Sequence, residues 1–381
     1  MIFKTPSLDE QEVMVIGHIE EVRQQLSYAV QYRRWTGSLR RMAFAKAVRG
    51  SNSIEGYLVS KDDALAAVDE EPPLDAESEE TWLAVTGYRT AMNYVLQLAA
   101  DPSFRFSRGV IKSLHYMMLS YAATKNPGRW RPGPIYVRND ETQQVVYEGP
   151  PAEHVNEWMR ELVGELNGED NHILVRAAMA HLNLVMIHPF SDGNGRMGRC
   201  LHTLVLTRGQ ILDPQFCSIE EYLGYKQQAY YDVLAAVGQG SWRPQNDARE
   251  WLRFCLTAHY RQAMNLVRWS RIFSRIWEQL ERDVTRRGLP ERAIASLSDA
   301  ALGYKLRNAT YRKTADVELV VAGRDLRHAA EAGFLVARGE RRGRYYIASP
   351  MLQKIGQDAH EPFVEQDPFT MTNYLPGFAP L

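Results

Sequence analysis

Apolar residues recur every three or four positions through most of the first 270 residues, as in Trp82, Val85, Tyr88 and Met92, or Val155, Trp158, Met159 and Leu162. Positions with that spacing share one face of a helix, so the bulk of the chain is predicted to be α-helical. The pattern breaks at Asn126-Pro-Gly-Arg-Trp-Arg-Pro-Gly-Pro, and Ile135 with Val137, then Val145 to Tyr147, read as two short strands. A β-hairpin on a helical body is expected there. The acidic, proline-bearing stretch from Asp69 to Glu80 reads as a solvated linker behind an N-terminal helical segment.

Beyond about Ser270 the character changes. Residues 271–350 hold 16 Lys and Arg against 10 Asp and Glu, and helical patterns near Thr310 to Val317 and Gly323 to Ala332 lead into a hairpin signal with glycines bounding a basic turn. Helix, helix, basic hairpin is the order of a winged helix-turn-helix. The last 31 residues contain four prolines and scattered aromatics and read as a tail. The expected division is an N-terminal helical segment at 1–78, a catalytic domain at 79–268, a winged-helix-like domain at 269–350 and a tail at 351–381.

Composition narrows the partners. At 381 residues the chain exceeds the usual domain size of about 100 to 200 residues, and its net charge of −1 gives no global attraction to nucleic acid or membrane. Any basic surface must be local. The cysteines Cys200, Cys217 and Cys255 form no Cys-x-x-Cys pair, so neither a disulfide framework nor a structural zinc site is indicated. The most apolar run, Ile173 to Ile187, is interrupted by Arg176, His181 and Asn183, and no leader pattern opens the chain. A cytoplasmic protein without membrane contact is the expectation.

The chemistry concentrates in His188-Pro-Phe-Ser-Asp192-Gly193-Asn194-Gly195-Arg196-Met197-Gly198-Arg199, a glycine-rich loop between two apolar helical patterns. A loop entering a helix N-terminus binds anions, because free backbone N–H groups and the helix dipole converge on one spot. Arg196 and Arg199, three residues apart on the first turn, can reach successive phosphates of a polyphosphate. Asp192 is a hard oxygen ligand suited to a Mg²⁺ shared with those phosphates. His188 is the group here able to take a proton at neutral pH. His181 and His202, on apolar faces flanking the motif, are assigned to packing.

This stretch resembles the signature of the Fic family, His-x-Phe-x-(Asp/Glu)-Gly-Asn-Gly-Arg-x-x-Arg, at all eight specified positions. The resemblance extends from about Glu79 to Leu266. Gly128-x-x-Arg131 followed by Ile135 and Val137 is similar to the family's flap, the strand edge to which target segments align. Tyr230-Tyr231-x-x-Leu234 is similar to the place where the family packs adenine, with Lys226-Gln227 where Asn-Arg is often found.

The resemblance implies a mainly α Fic-type helical domain and transfer of AMP from ATP to a Tyr, Thr or Ser hydroxyl of a target protein or of the enzyme itself. On that reading His188 is the base, Asp192 holds Mg²⁺, Asn194 and the loop amides hold the α-phosphate, and Arg196 and Arg199 hold the β- and γ-phosphates. Relatives of the Doc type, which act as kinases, carry Lys in place of Gly195 and lack the last Arg. Relatives that transfer phosphocholine or UMP share much of the loop, so another donor stays open. Many relatives dimerise.

Ser51-Asn-Ser-Ile-Glu55-Gly56 fits the (Ser/Thr)-x-x-x-Glu-(Gly/Asn) motif that the family places on an inhibitory helix, and its position N-terminal to the loop resembles the class II Fic proteins. A Glu55 carboxylate paired with Arg199 would occupy the guanidinium that the γ-phosphate needs. In some relatives the same glutamate positions water to remove AMP. For the C-terminal unit the expectation is that Arg324, Arg327 and His328 share a recognition-helix face and Arg341, Arg342 and Arg344 line a wing that meets DNA. The competing class is a DNA-binding regulator that senses nucleotide without turnover.

Overall fold

The computed structural model describes residues 1–75, 78–139, 142–168, 171–209, 214–340 and 343–371. The helices up to the flap are α1 (Glu10–Val30), α2 (Thr36–Ile54), α3 (Lys61–Val68), α4 (Glu79–Ala99) and α5 (Arg108–Leu119). Strands β1 (Tyr136–Arg138) and β2 (Val145–Glu148) follow, then α6 (Ala152–Asn167), α7 (Ile173–Ile187), α8 (Asn194–Leu206), α9 (Glu220–Tyr225), α10 (Gln227–Gly238) and α11 (Arg249–Arg286). The chain continues as α12 (Ala293–Ala301), α13 (Asn308–Ala315), α14 (Leu319–Glu331), β3 (Leu335–Arg338), β4 (Tyr345–Ala348) and α15 (Pro350–Ala359). The fold is mainly α, as the periodicity predicts, with two small antiparallel hairpins, β1–β2 and β3–β4.

Several helix starts are written in local sequence. Asp9 and Glu12 form a reciprocal capping box on α1, while Ser60, Ser78, Ser107 and Ser349 accept N–H bonds at the starts of α3, α4, α5 and α15. α7 is buried nearly all round, and the polar residues that interrupt its apolar run are each partnered. Arg176 donates to the Leu166 carbonyl, the His181 ring meets the Tyr230 hydroxyl, and Asn183 pairs with both main-chain groups of Phe3. α8 packs antiparallel on α7 around the tight loop between them, and a Cβ on Gly198 would come within 2.7 Å of Val185 and 2.8 Å of His181. α11 is fastened to α7 by the Trp251 indole N–H donating to the Ala178 carbonyl at 2.7 Å.

Three expectations about organisation are corrected. The boundary expected at 268/269 falls inside α11, whose buried face runs from Trp251 through Leu266, Phe273 and Leu280 to Val284 without a break. A continuous apolar stripe gives the helix no reason to stop, and α11 joins both halves of the molecule. The stretch Asp69 to Glu80 is docked in its described part rather than solvated. Glu71 is buried with Arg307 and Thr310, Asp69 meets Arg41, and Arg307 donates to the Pro72 carbonyl. The expected tail begins with α15, packed on α11 and α12 so closely that a Cβ on Gly356 would overlap the Ala301 backbone. Residues 372–381 lie outside the described residues.

The C-terminal unit runs α12, α13, α14 and then the β3–β4 hairpin, with Leu306 bonded to Tyr346 of β4 in both directions. Arg324 and Arg327 are exposed on α14, His328 is half-buried and Arg344 is exposed, whereas Arg341 and Arg342 lie outside the described residues. Among the described residues, no helix is long and apolar enough to cross a membrane.

One contact fixes where α2 lies. Gly50 of α2 and Gly224 of α9 meet backbone to backbone, since a Cβ on Gly50 would stand 2.4 Å from the Glu220 carbonyl and one on Gly224 2.8 Å from the Gly50 backbone. Neither neighbour is a side chain that can swing aside. Gly50→Ala is therefore expected to lose about 2 kcal/mol, the cost of overpacking a rigid contact, read as a lower urea midpoint with an unchanged slope; a wild-type midpoint would show that α2 and α9 separate freely.

Candidate active site

The α7–α8 loop gathers the predicted groups. His188 closes α7 in the left-handed region (φ 52°), and Gly193 turns the chain into α8 at φ 75°, where a Cβ would also strike Leu119 at 2.8 Å. Nδ1 of His188 lies 3.0 Å from the Val185 carbonyl. A carbonyl only accepts, so Nδ1 carries the proton and Nε2 is left with its lone pair. Burial lowers the His188 pKa to about 4, with the Arg131 charge adding to the effect and the Val185 bond opposing it. The imidazole is thus an unprotonated base at neutral pH.

Asn194, expected to help hold the α-phosphate, also shapes the loop: its amide donates to the Phe190 carbonyl at 2.8 Å and its oxygen accepts the Phe190 N–H at 2.9 Å, which leaves a second amide N–H. The anion-binding capacity at this turn rests on the first backbone N–H groups of α8, which have no intrahelical partner. Arg196 and Arg199 are almost wholly buried, and Nε and Nη1 of Arg196 and Nη1 of Arg199 have no protein partner. Buried guanidinium donors left open suit an anionic ligand.

Arg199 is already engaged on one side. It donates to Ser51 Oγ at 2.8 Å, to the Ser51 carbonyl at 3.0 Å and to Glu55 Oε1 at 2.6 Å. Burial alone would lower the arginine pKa, and the Glu55 carboxylate together with Tyr230 and Tyr88 more than reverses that. Gly195 makes the approach feasible, because a Cβ there would lie 2.4 Å from Glu55 Oε1. Behind Arg199 the buried Glu220 accepts from Thr203, and burial raises its pKa to about 7.

Asp192 is half-exposed beside the loop and pairs with Lys125 Nζ at 2.9 Å. Burial would raise its pKa, but Lys125 and Arg196 hold it below the ordinary carboxylate value. Among the described residues no group of three or more His, Cys, Asp or Glu could hold a metal by itself. A single carboxylate already opposed by a cation fits Mg²⁺, which commonly takes one or two protein carboxylates and completes its shell with phosphates and water.

Two residues tie the flap to this loop: Arg131, which the sequence marked only as part of the flap motif, and His115, which sequence reasoning missed. Arg131 donates Nε to the His188 carbonyl at 2.8 Å, Nη1 to Gly133 and Nη2 to Pro150, so one guanidinium joins both roots of the hairpin to the main chain of the base. His115 does the same from α5. Its Nδ1 accepts the Gly128 N–H at 2.8 Å, its Nε2 donates to the Asp192 carbonyl at 2.9 Å, and its ring stacks 3.6 Å from Phe190. Ile135 lies just before β1 and Val137 within it. The outer edge of β2 is occupied, with the Glu148 N–H donating to the Gly240 carbonyl.

The two tyrosines part company. Tyr230 is buried and bonded to His181, while Tyr231 is 43% exposed and donates to the Ile54 carbonyl at 3.0 Å, which also accepts from Gln227. Tyr231 is therefore the one open to a ligand, at the end of α2. His202 bonds His259, which bonds Arg23, all within the core.

Residues 105–206 match the Fic/DOC family. Among curated proteins, the chain is similar to the protein adenylyltransferase Fic of Culex quinquefasciatus, 27% identical over 205 residues, covering 53% of this chain and 38% of that protein. It is also similar to protein adenylyltransferase fic-1 of Caenorhabditis elegans, 25% identical over 244 residues, covering 63% and 45%. The match thus spans less than half the length of these relatives. Among solved structures, a Fic family protein from Desulfovibrio desulfuricans aligns with a TM-score of 0.59 at 20% identity over 91% of this chain and 98% of that one. A Fic-1 fragment from C. elegans aligns with a TM-score of 0.53 at 22% identity over 67% and 72%. With the motif, the loop geometry and these likenesses in agreement, the chain carries a Fic domain.

Proposed function

We propose that this chain is a protein adenylyltransferase that transfers AMP from ATP to a Tyr, Thr or Ser hydroxyl and is held inactive by Glu55. The observation that carries the reading is the convergence of an unprotonated His188 Nε2, the open amides of the α8 N-terminus and the buried Arg196 and Arg199 on one face of the α7–α8 loop. The target oxygen attacks the α-phosphorus, its proton passes to His188 Nε2, and the bond to the pyrophosphate oxygen breaks. Arg196 and Arg199 take the charge that builds on the leaving group. Asp192 would hold Mg²⁺, which when bound would supply further charge neutralisation there. Arg131 and His115 keep the flap in register with the base, so a strand added at β1 brings its hydroxyl to a set distance from His188.

Glu55 controls the donor. With its carboxylate 2.6 Å from Arg199, the terminal phosphate meets a negative charge where it needs a positive one, and ATP is held out of line for attack. The similarity to the protein adenylyltransferases of C. quinquefasciatus and C. elegans supports the adenylyl donor. The exposed Arg324, Arg327 and Arg344 support a DNA contact at the C-terminal unit as a separate property, and a gel shift that weakens steeply with salt is the result expected of it.

Wild type, Glu55→Gly and His188→Ala are to be incubated with Mg²⁺ and ATP labelled on either the α- or the γ-phosphate. Label from the α position alone is expected, raised about tenfold in Glu55→Gly, the scale of a relieved internal competition, and lowered by about 10² or more in His188→Ala, the worth of a general base. Label from the γ position would make the enzyme a kinase, and none from either would transfer the weight to another nucleotide donor or to a sensor. His188 itself should titrate near 4 by NMR. Transfer should then persist as pH falls through 6.5 and fail only as Nε2 takes its proton; a midpoint near 6.5 would contradict the packing described for the ring.

A further inference from the structure

The inhibitory segment does not end at Glu55. Gly56 sits at φ 81°, and the Tyr57 N–H turns back to the Asn52 carbonyl at 3.1 Å. Two residues of one turn, Glu55 and Tyr57, thereby face two arginines on one turn of α8. Glu55 reaches Arg199, and the Tyr57 ring lies 5.1 Å from the Arg196 guanidinium carbon. The Tyr57 hydroxyl also accepts from Lys125 Nζ at 3.0 Å, and the same ammonium pairs with Asp192 at 2.9 Å and approaches Glu80 at 3.6 Å.

Lys125 is a cation paired with the carboxylate that would hold the divalent ion. It comes from a short turn between α5 and the flap, outside the signature loop, and three oxygens from three separate segments hold it in place. An exposed lysine–carboxylate pair contributes little. This one is different, because both partners are partly buried and the Tyr57 hydroxyl fixes the direction of the ammonium.

We propose that Tyr57 and Lys125 form a second arm of the inhibitory contact. Lys125 occupies the Asp192 carboxylate in place of the divalent cation, and Tyr57 steers it there while covering Arg196. On this inference, which rests on the adenylyltransferase reading, residues 51–57 close the metal position and the β-phosphate arginine as well as the γ-phosphate arginine. Removing the Glu55 carboxylate frees Arg199 and leaves Lys125 on Asp192. The metal must displace an ammonium ion before it binds, so Lys125 sets the divalent-ion concentration at which the site loads.

The test is Mn²⁺ binding to the full chain in the presence of ADP, read from the EPR signal of free Mn²⁺, which requires no turnover. Lys125→Met is expected to bind Mn²⁺ about tenfold more tightly than wild type, the scale of removing one adjacent like charge from a partly screened site. Lys125→Gln should do the same, guarding against an effect peculiar to one substitution. Lys125→Arg keeps the charge and should stay near wild type, and Tyr57→Phe, which keeps the ring and loses the hydroxyl, should fall between. Wild-type Mn²⁺ affinity in both Lys125→Met and Lys125→Gln, with binding lost in Asp192→Asn, would overturn the inference and leave the adenylyltransferase reading intact. Binding unchanged in Asp192→Asn would take the metal away from this carboxylate and overturn the inference, while the adenylyltransferase reading is judged separately by transfer of the α-label.

Discussion

A buried guanidinium needs an anion, and Arg199 is the point on which the architecture turns. It sits on the second turn of α8 with no exposed side-chain surface, so water cannot solvate its charge. The Ser51 hydroxyl and carbonyl and the Glu55 carboxylate meet that need from α2. The surrounding packing follows from bringing α2 close enough to do so. Gly50 and Gly224 remove the side chains that would hold α2 away from α9, and Gly195 removes the one that would hold Glu55 away from α8. Gln227 and Tyr231 then bind the last carbonyl of α2. The N-terminal segment is for these reasons part of the catalytic body.

The flap is organised by the same economy of few, saturated contacts. A two-stranded hairpin has little stability of its own, and its exposed Tyr136, Val145 and Val146 add no core. Its placement depends on its roots. Arg131 spends its guanidinium on three carbonyls, one of them from His188, and His115 bridges Gly128 to Asp192. The loop that carries His188 and the hairpin are consequently positioned by the same two side chains.

What could be read from the chain divides along contact distance. The His188–Arg199 constellation is contiguous, so its chemistry and its loop-to-helix geometry were legible as a string. The helical body, the hairpin at Tyr136–Glu148 and the polar interruptions of α7 followed from periodicity. His115 and Lys125 were not legible in this way, since no local pattern marks them, and Arg131 was legible only as part of the flap motif; the partners of all three in the loop lie 57 to 77 residues away. Asp69 to Glu80 looked solvated because acidic residues usually are. Burial of Glu71 depends on Arg307, which lies more than 230 residues further on. The break at 268 was suggested by a change in charge, while the apolar stripe of α11 ran through it. Composition reports surface character, and continuity of a helix is decided by its buried face.

These contacts also determine which part of the segment 51–57, proposed to be inhibitory, can yield. α2 is pinned near its start, where Arg41 meets Asp69, Asp299 and Thr314, and near its end, where Gly50 touches α9 backbone to backbone. Moving the helix as a body would break a buried ion-pair cluster and a glycine crossing together, at a cost of several kcal/mol by the usual worth of such contacts. The turn beyond Ile54 is held differently. Glu55 and Tyr57 contribute half-buried side chains, and Gly56 supplies the one backbone position free to change its φ without a Cβ penalty. Release of Arg199 and Arg196 is therefore cheaper by re-folding the turn 55–57 than by lifting α2. On the proposed reading, inhibition would belong to a three-residue turn carried on a fixed helix, with the helix holding that turn beside Arg196 and Arg199 of α8.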